Sequence, residues 1–208
     1  VLILKTLLML RRLYATILEK NLKVLPKHIM IVANEDLINN FEKFLEFMEW
    51  CRKFDVNEIT ICFPDNNVDY SRFDCLRDFK IRVIKKGGVS ESLKGESGRD
   101  SDKHKLNLIL GYKGREEIVD AVKKLAMLVE AGKLKPEEVD EETIEKYLVV
   151  KSPPDLIIKA GEEIPEFLTW QSIYSELYFI DLDWKSFRYI DFLRCLRDYQ
   201  RRERRYGR

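Results

Sequence analysis

Residues 28–63 read HIMIVANEDLINNFEKFLEFMEWCRKFDVNEITICF. The stretch opens on an apolar run, 28–33, and closes on another, 58–63. Between them, residues 36–53 carry Leu37, Phe41, Phe44, Leu45 and Met48 at helical spacing. A strand, a helix and a second strand in that order form a crossover unit, and a crossover leaves its two strands parallel. Parallel sheets are covered on both faces, which is why these runs are continuously apolar rather than alternating.

The same alternation continues outward. Further β-rich runs lie at 80–85, 106–112, 155–159 and 176–180, giving six strands in all. A helical pattern over 115–131 carries Ile118, Val119, Val122, Leu125 and Leu128 and closes on Gly132. Residues 136–148 read as a charged helix and 184–204 as a final one. The fold class is therefore α/β, a six-stranded parallel sheet flanked by helices. Residues 23–208 form one domain without tandem repeats. Its weak place is 87–103, rich in Gly, Ser and charge, which reads as a mobile surface loop. Residues 1–22 form an amphipathic helix with Ile3, Leu7, Leu10, Tyr14 and Ile17 on one stripe. That stripe suits either docking onto the domain or a membrane-surface contact. The apolar opening is broken by Lys5 and followed by Arg11 and Arg12, short of the ~20 residues a span needs.

Composition narrows the function. The chain has 208 residues, 45% hydrophobic, with 37 Lys+Arg against 36 Asp+Glu. That excludes disorder and a disulfide scaffold, and a net charge of +1 argues against a dedicated nucleic-acid binder. Cys51, Cys62, Cys75 and Cys195 show no CxxC pairing and read as buried thiols in a reducing, cytoplasmic setting. His28 and His104 add too little for a zinc site, and His28 reads as a half-buried structural histidine. No GxGxxG, P-loop or GxSxG pattern is present.

More specific signals come in blocks. Residues 106–115, LNLILGYKGR, continue as EEIVDAV; residues 154–162 read PDLIIKAGE; residues 167–179 read FLTWQSIYSELYF; residues 199–207 read YQRRERRYG. With Trp184, Phe187 and the 26–29 stretch PKHI, these blocks resemble, in order, the cis-prenyltransferase family of polyprenyl diphosphate synthases. Charged composition and a short N-terminal helix make it most like archaeal members. The resemblance implies a parallel six-stranded sheet around a hydrophobic tunnel, usually in a dimer. It also implies condensation of isopentenyl diphosphate with an allylic diphosphate, assisted by Mg²⁺, an acidic ligand and a clamp of arginines and backbone donors.

Set against that machinery, the chain departs from the pattern. Where the family has MDGNGR, residues 33–38 read ANEDLI. The metal-binding aspartate falls on Asn34, a poor Mg²⁺ ligand, and the phosphate-wrapping glycines become Glu35 and Leu37. Where the family has FSTENWxR, residues 63–70 read FPDNNVDY and only Asn67 survives. In the RTSGExRLSNF block, Lys159 replaces an arginine and loses its two-pronged grip, while Glu163 reverses a charge. Losing several donors costs far more than the ~3–4 kcal/mol typical of one.

Other positions are kept. The resemblance assigns Trp170, Tyr174, Glu176 and Phe179 to a dimer interface, with Asn67 and Glu176 as possible residual ligand-binding groups. It further implies that Arg205 and Gly207 reach a partner's active site and grip diphosphate there. From Lys185 to Arg208 nine Lys/Arg stand against three Asp/Glu. The chain thus resembles the non-catalytic, Nogo-B-receptor-like subunits of heteromeric cis-prenyltransferases. Its expected partner is a catalytic chain that holds the Mg²⁺ and makes long polyprenyl diphosphates, dolichol-type carriers of lipid-linked glycans. No cofactor is expected on this chain itself, and a homodimer is possible in isolation. Two alternatives stay open: a divergent active synthase using Asp36 or Glu176, and an isoprenoid-binding module.

Overall fold

A computed structural model describes residues 2–33, 35–76, 78–93, 104–160, 166–180 and 184–202. Its strands are β1 (His28–Val32), β2 (Glu58–Phe63), β3 (Lys80–Lys85), β4 (Gly88–Leu93), β5 (Lys105–Leu110), β6 (Leu156–Ala160) and β7 (Glu176–Ile180). They form one sheet in the order β4-β3-β5-β2-β1-β6-β7. The six expected strands are all parallel, and β4 adds a seventh, antiparallel to β3, at one edge. Residues 88–93 are therefore strand rather than loop; the rest of the expected loop, 94–103, lies outside the described residues.

The helices are α1 (Leu2–Asn21), α2 (Glu35–Asn39), α3 (Phe41–Lys53), α4 (Gly114–Glu130), α5 (Glu141–Tyr147) and α6 (Tyr189–Arg201). One predicted helix is two. Asn40 turns its amide back to donate to Asp36 O at 3.0 Å and Asp36 Oδ1 at 2.7 Å. Its own backbone leaves the helical region at ψ 42, which ends α2 and starts α3. The predicted 136–148 helix likewise splits, with a 3₁₀ turn at Pro136–Glu138 before α5. Asp140 caps α5 by accepting from Thr143 N at 2.8 Å. The predicted last helix begins late, because Trp184 is turned into the core and Asp191 caps α6 by accepting from Arg188 N.

Each face of the sheet has its own core. On one side, Ile29, Ile31, Ile59, Ile61, Leu106, Leu108, Ile81 and Val83 meet α2, α3 and α6. Aromatic rings fill that layer: Phe44 lies 5.5 Å from Phe73 and 5.8 Å from Trp184, and Phe47 lies 5.3 Å from Phe192. All five are essentially without solvent contact. On the other side a smaller cluster holds Met30, Cys62, Ile109, Ile157, Phe167 and Leu168. Gly114 opens α4 there, donating to Glu166 O at 2.7 Å. A Cβ on Gly114 would sit 2.6 Å from Thr169 N, so the helix start and the 166–170 backbone fit only with glycine. Gly114→Ala should lower the unfolding free energy by about 1–3 kcal/mol, read as a lower urea midpoint with unchanged slope.

This second face also buries a polar row at the starting ends of the strands. His28 Nδ1 donates to Ser152 O at 3.1 Å, leaving Nε2 to accept from the Thr60 hydroxyl at 2.8 Å. Asn107 donates to Thr60 Oγ1 at 2.9 Å and to Glu58 Oε1 at 2.7 Å, and accepts from Arg82 Nε at 2.8 Å. His28 is fully rather than half buried. Burial pushes its imidazole below the ordinary 6.5, outweighing the attraction of Glu58. The unfolded chain therefore takes up this proton first as pH drops. The stabilisation is complete above the unfolded pKa and is lost as pH falls through the folded one. Stability should decline as pH falls below about 7.5, and His28→Gln should flatten that slope in urea titrations.

Candidate functional site

In parallel α/β sheets, ligands bind beyond the finishing ends of the strands. At that end a cavity of about 430 Å³ is lined by Ile38, Asn39, Phe63, Pro64, Asp65, Asn67, Val68 and Asp69. It is shaped by the turn after β2, where Asp65 Oδ1 accepts from Asn67 N at 2.9 Å. Gly111 holds β5 against this turn at φ +56, where a Cβ would stand 2.9 Å from Asn66 Cβ. Asp69 Oδ1 accepts from the Ser71 hydroxyl at 2.7 Å and Ser71 N at 3.1 Å. Those hydrogen bonds hold the Asp69 carboxyl below the usual carboxylate range, so the cavity wall stays negative. Its described lining contains two aspartates and neither lysine nor arginine.

Arg72 stands beside this cavity but is committed elsewhere. It donates to Ile38 O at 2.7 Å and its guanidinium lies 4.9 Å from the Phe41 ring centre. Sequence reasoning missed it, because no local pattern reveals a contact back to α2 from the Ser71–Cys75 turn. Asp36, a possible ligand in the sequence, is also occupied. Its Oδ1 accepts from Asn40, and its Oδ2 accepts from Trp184 N at 2.7 Å. The carboxylate clasps α2 to the segment that leads into α6.

The remaining predicted residues are dispersed. Lys159 is level with Val32 on β1 and Phe179 on β7, near the finishing ends. Glu176 begins β7, level with Leu156, at the opposite end of the sheet from Asn67. It accepts from Arg202 Nη1 at 3.1 Å, and the same nitrogen donates to Leu177 O at 2.6 Å. The structure does not bring Asn67 and Glu176 into one pocket. Trp170 donates to Glu145 Oε1 at 3.4 Å beside a cavity of about 460 Å³ that Tyr174 also lines. Tyr174 is 54% exposed and Phe179 46%. Asn34, Glu163, Arg205 and Gly207 lie outside the described residues. Cys51, Cys62 and Cys195 are buried as expected, whereas Cys75 is exposed.

A larger cavity, about 860 Å³, lies at the β7 edge and the start of α6, lined in part by Phe179, Lys185, Arg188, Asp191 and Arg194. Asp191 pairs with Arg188 at 2.9 Å and Arg194 at 3.2 Å. Positive charge thus gathers at the edge strand and negative charge at the β2 turn. The layer between sheet and α3 is packed with rings.

With this geometry in place, residues 81–207 match the family described as "Putative undecaprenyl diphosphate synthase". The chain belongs to the cis-prenyltransferase family. It is 34% identical to a tritrans,polycis-undecaprenyl-diphosphate synthase (geranylgeranyl-diphosphate specific) of Methanocaldococcus jannaschii, over 94% of this chain and 88% of the relative. The enzyme of that name from Thermoplasma volcanium is 37% identical over 86% of this chain and 82% of its own length. Among solved structures, lavandulyl diphosphate synthase from Lavandula x intermedia superposes with a TM-score of 0.68 at 22% identity, covering 88% of this chain and 98% of that one. A probable undecaprenyl diphosphate synthase from Campylobacter jejuni gives 0.68 at 21%, covering 89% and 100%. These two establish the shared cis-prenyltransferase fold.

The alignment to the Methanocaldococcus protein runs over 247 residues against 208 here, so the relative is longer within the matched region. In this cis-prenyltransferase the β2–β3 crossover holds only the five-residue turn Ser71–Cys75 and the β3–β5 crossover holds β4. The family match itself begins in β3, past the turn after β2. If Asp36 is a clasp, Asp36→Ala should destabilise the chain by about 1–3 kcal/mol in urea unfolding, with or without Mg²⁺ present. A Mg²⁺-dependent difference between wild type and variant would instead mark a ligand.

Proposed function

We propose that this chain serves polyprenyl diphosphate synthesis as a non-catalytic subunit, joined to a catalytic cis-prenyltransferase chain. The observation that carries this reading is the sign of the strand-end cavity. Diphosphate needs cations, backbone donors or a metal. Here the lining offers Asp65 and Asp69, both accepting hydrogen bonds within their own turns. In the sequence, Asn34 stands where the resemblance expects the acidic Mg²⁺ ligand, and a neutral amide oxygen is a poor one. Ring packing beneath the cavity argues equally against storing a long isoprenoid chain here, as a synthase or as a binding module. The exposed Tyr174 and Phe179, with Trp170 and Glu176, supply the surface for the catalytic partner, and Arg205 and Gly207 would complete that partner's diphosphate site.

A second reading is favoured by the relatives, which are named as geranylgeranyl-diphosphate-specific synthases. On that reading the chain condenses isopentenyl diphosphate by itself. The two separate cleanly. The purified chain, given geranylgeranyl diphosphate, labelled isopentenyl diphosphate and Mg²⁺, should incorporate no label. Mixing it with a homologue that retains the DGNGR loop should produce labelled polyprenyl diphosphate at a rate above the homologue's own. Robust turnover by the isolated chain would establish the second reading. In the mixed complex, Arg205→Ala should lower kcat/KM for isopentenyl diphosphate about ten- to a hundredfold while leaving co-elution intact. Unchanged kinetics would remove the tail from the site.

A further inference from the structure

α1 is fixed to the domain by one side only. Ala15 and Leu22 pack partly buried against the core, and Leu18 is buried in it. Glu19 pairs with Lys53 at 2.8 Å, Tyr14 accepts from Arg197 at 3.2 Å, and Gln200 donates to Asn21 O at 3.0 Å while accepting from Val24 N at 3.1 Å. These contacts hold the second half of the helix on α6 and on the end of α3. On the opposite side, at helical spacing, stand Met9 (73% exposed), Leu10 (59%), Leu13 (57%) and Ile17 (48%). A contiguous outward apolar stripe on a firmly mounted helix needs an occupant.

We propose that this stripe rests on an anionic membrane surface, with Arg12 at its edge contacting lipid phosphates. Charge selects this occupant. From residue 1 to 14 the sequence carries Lys5, Arg11 and Arg12 and no acid, and both arginines are exposed. Apolar side chains then enter the headgroup boundary while cations stay at its level. A second copy is a poorer fit. Side-by-side α1 helices would oppose arginine to arginine, and the helix's sole acid, Glu19, is already held by Lys53. Spanning is not the geometry either, because no described helix is long and apolar enough to cross a membrane.

The test uses the full chain without any partner, so its outcome is independent of the subunit reading above. Vesicles of phosphatidylcholine alone, or with about a third phosphatidylglycerol, are floated on a density gradient with the protein. Wild type should float with the anionic vesicles, less so at high salt, and remain behind with the neutral ones. Arg12→Glu and, separately, Leu13→Glu should each weaken flotation about tenfold or more, with unchanged thermal melts. The proposal fails if wild type ignores anionic vesicles, or binds neutral ones equally well. It fails also if Leu13→Glu floats like wild type. A dimer in light scattering that Leu13→Glu dissociates, with no vesicle binding, would assign the stripe to a second copy.

Discussion

Everything on the larger face of the sheet hangs on one body of aromatic packing. Phe44, Phe47, Phe73, Trp184 and Phe192 interlock edge to face between the strands and the helices, each closed to solvent. Rings at these separations add to simple burial, and removing any one would cost about 3–5 kcal/mol. The cluster fixes where α3 and α6 lie, and through the Asp36–Trp184 clasp it fixes α2 at the mouth of the strand-end cavity. The larger face of the sheet therefore owes its shape to this cluster more than to any single helix.

Charge follows the same division. The near-zero net balance hides an acidic turn after β2 and a basic edge at β7 and α6. A diphosphate approaching the β2 turn meets Asp69 held ionised by Ser71. Approaching the β7 edge, it meets Lys185, Arg188 and Arg194, partly balanced by Asp191. An edge strand also presents unpaired backbone groups, a natural place for another chain to join. Cations gather at the β7 edge and carboxylates at the strand-end cavity, three strands apart in the sheet.

The parallel sheet was legible because six apolar runs of strand length alternate with helical spacing, and burial on both faces demands that pattern. β4 was not, since Gly88–Leu93 reads GVSESL and an edge strand exposed on one side has no need of continuous apolar residues. The break at Asn40 depends on a side-chain hydrogen bond that spacing does not reveal. Trp184 looked like the start of a helix because its sequence neighbours are helical; tertiary burial of the indole decided otherwise. At the site, losses could be read residue by residue from charge and size. What could not be read was commitment: that Asp36 clasps Trp184, that Arg72 turns to α2, and that Glu176 sits at the far end of its strand.

That last placement separates two charged surfaces. α6 opens near the finishing end of β7 and closes near its start, where Arg202 is fastened to Glu176 and Leu177 O. The acidic cavity beyond β2 is three strands across and most of a strand length along, roughly 20 Å in a straight line. That line runs through the packed interior, so Arg202 cannot neutralise Asp65 or Asp69 and the cavity keeps its negative sign.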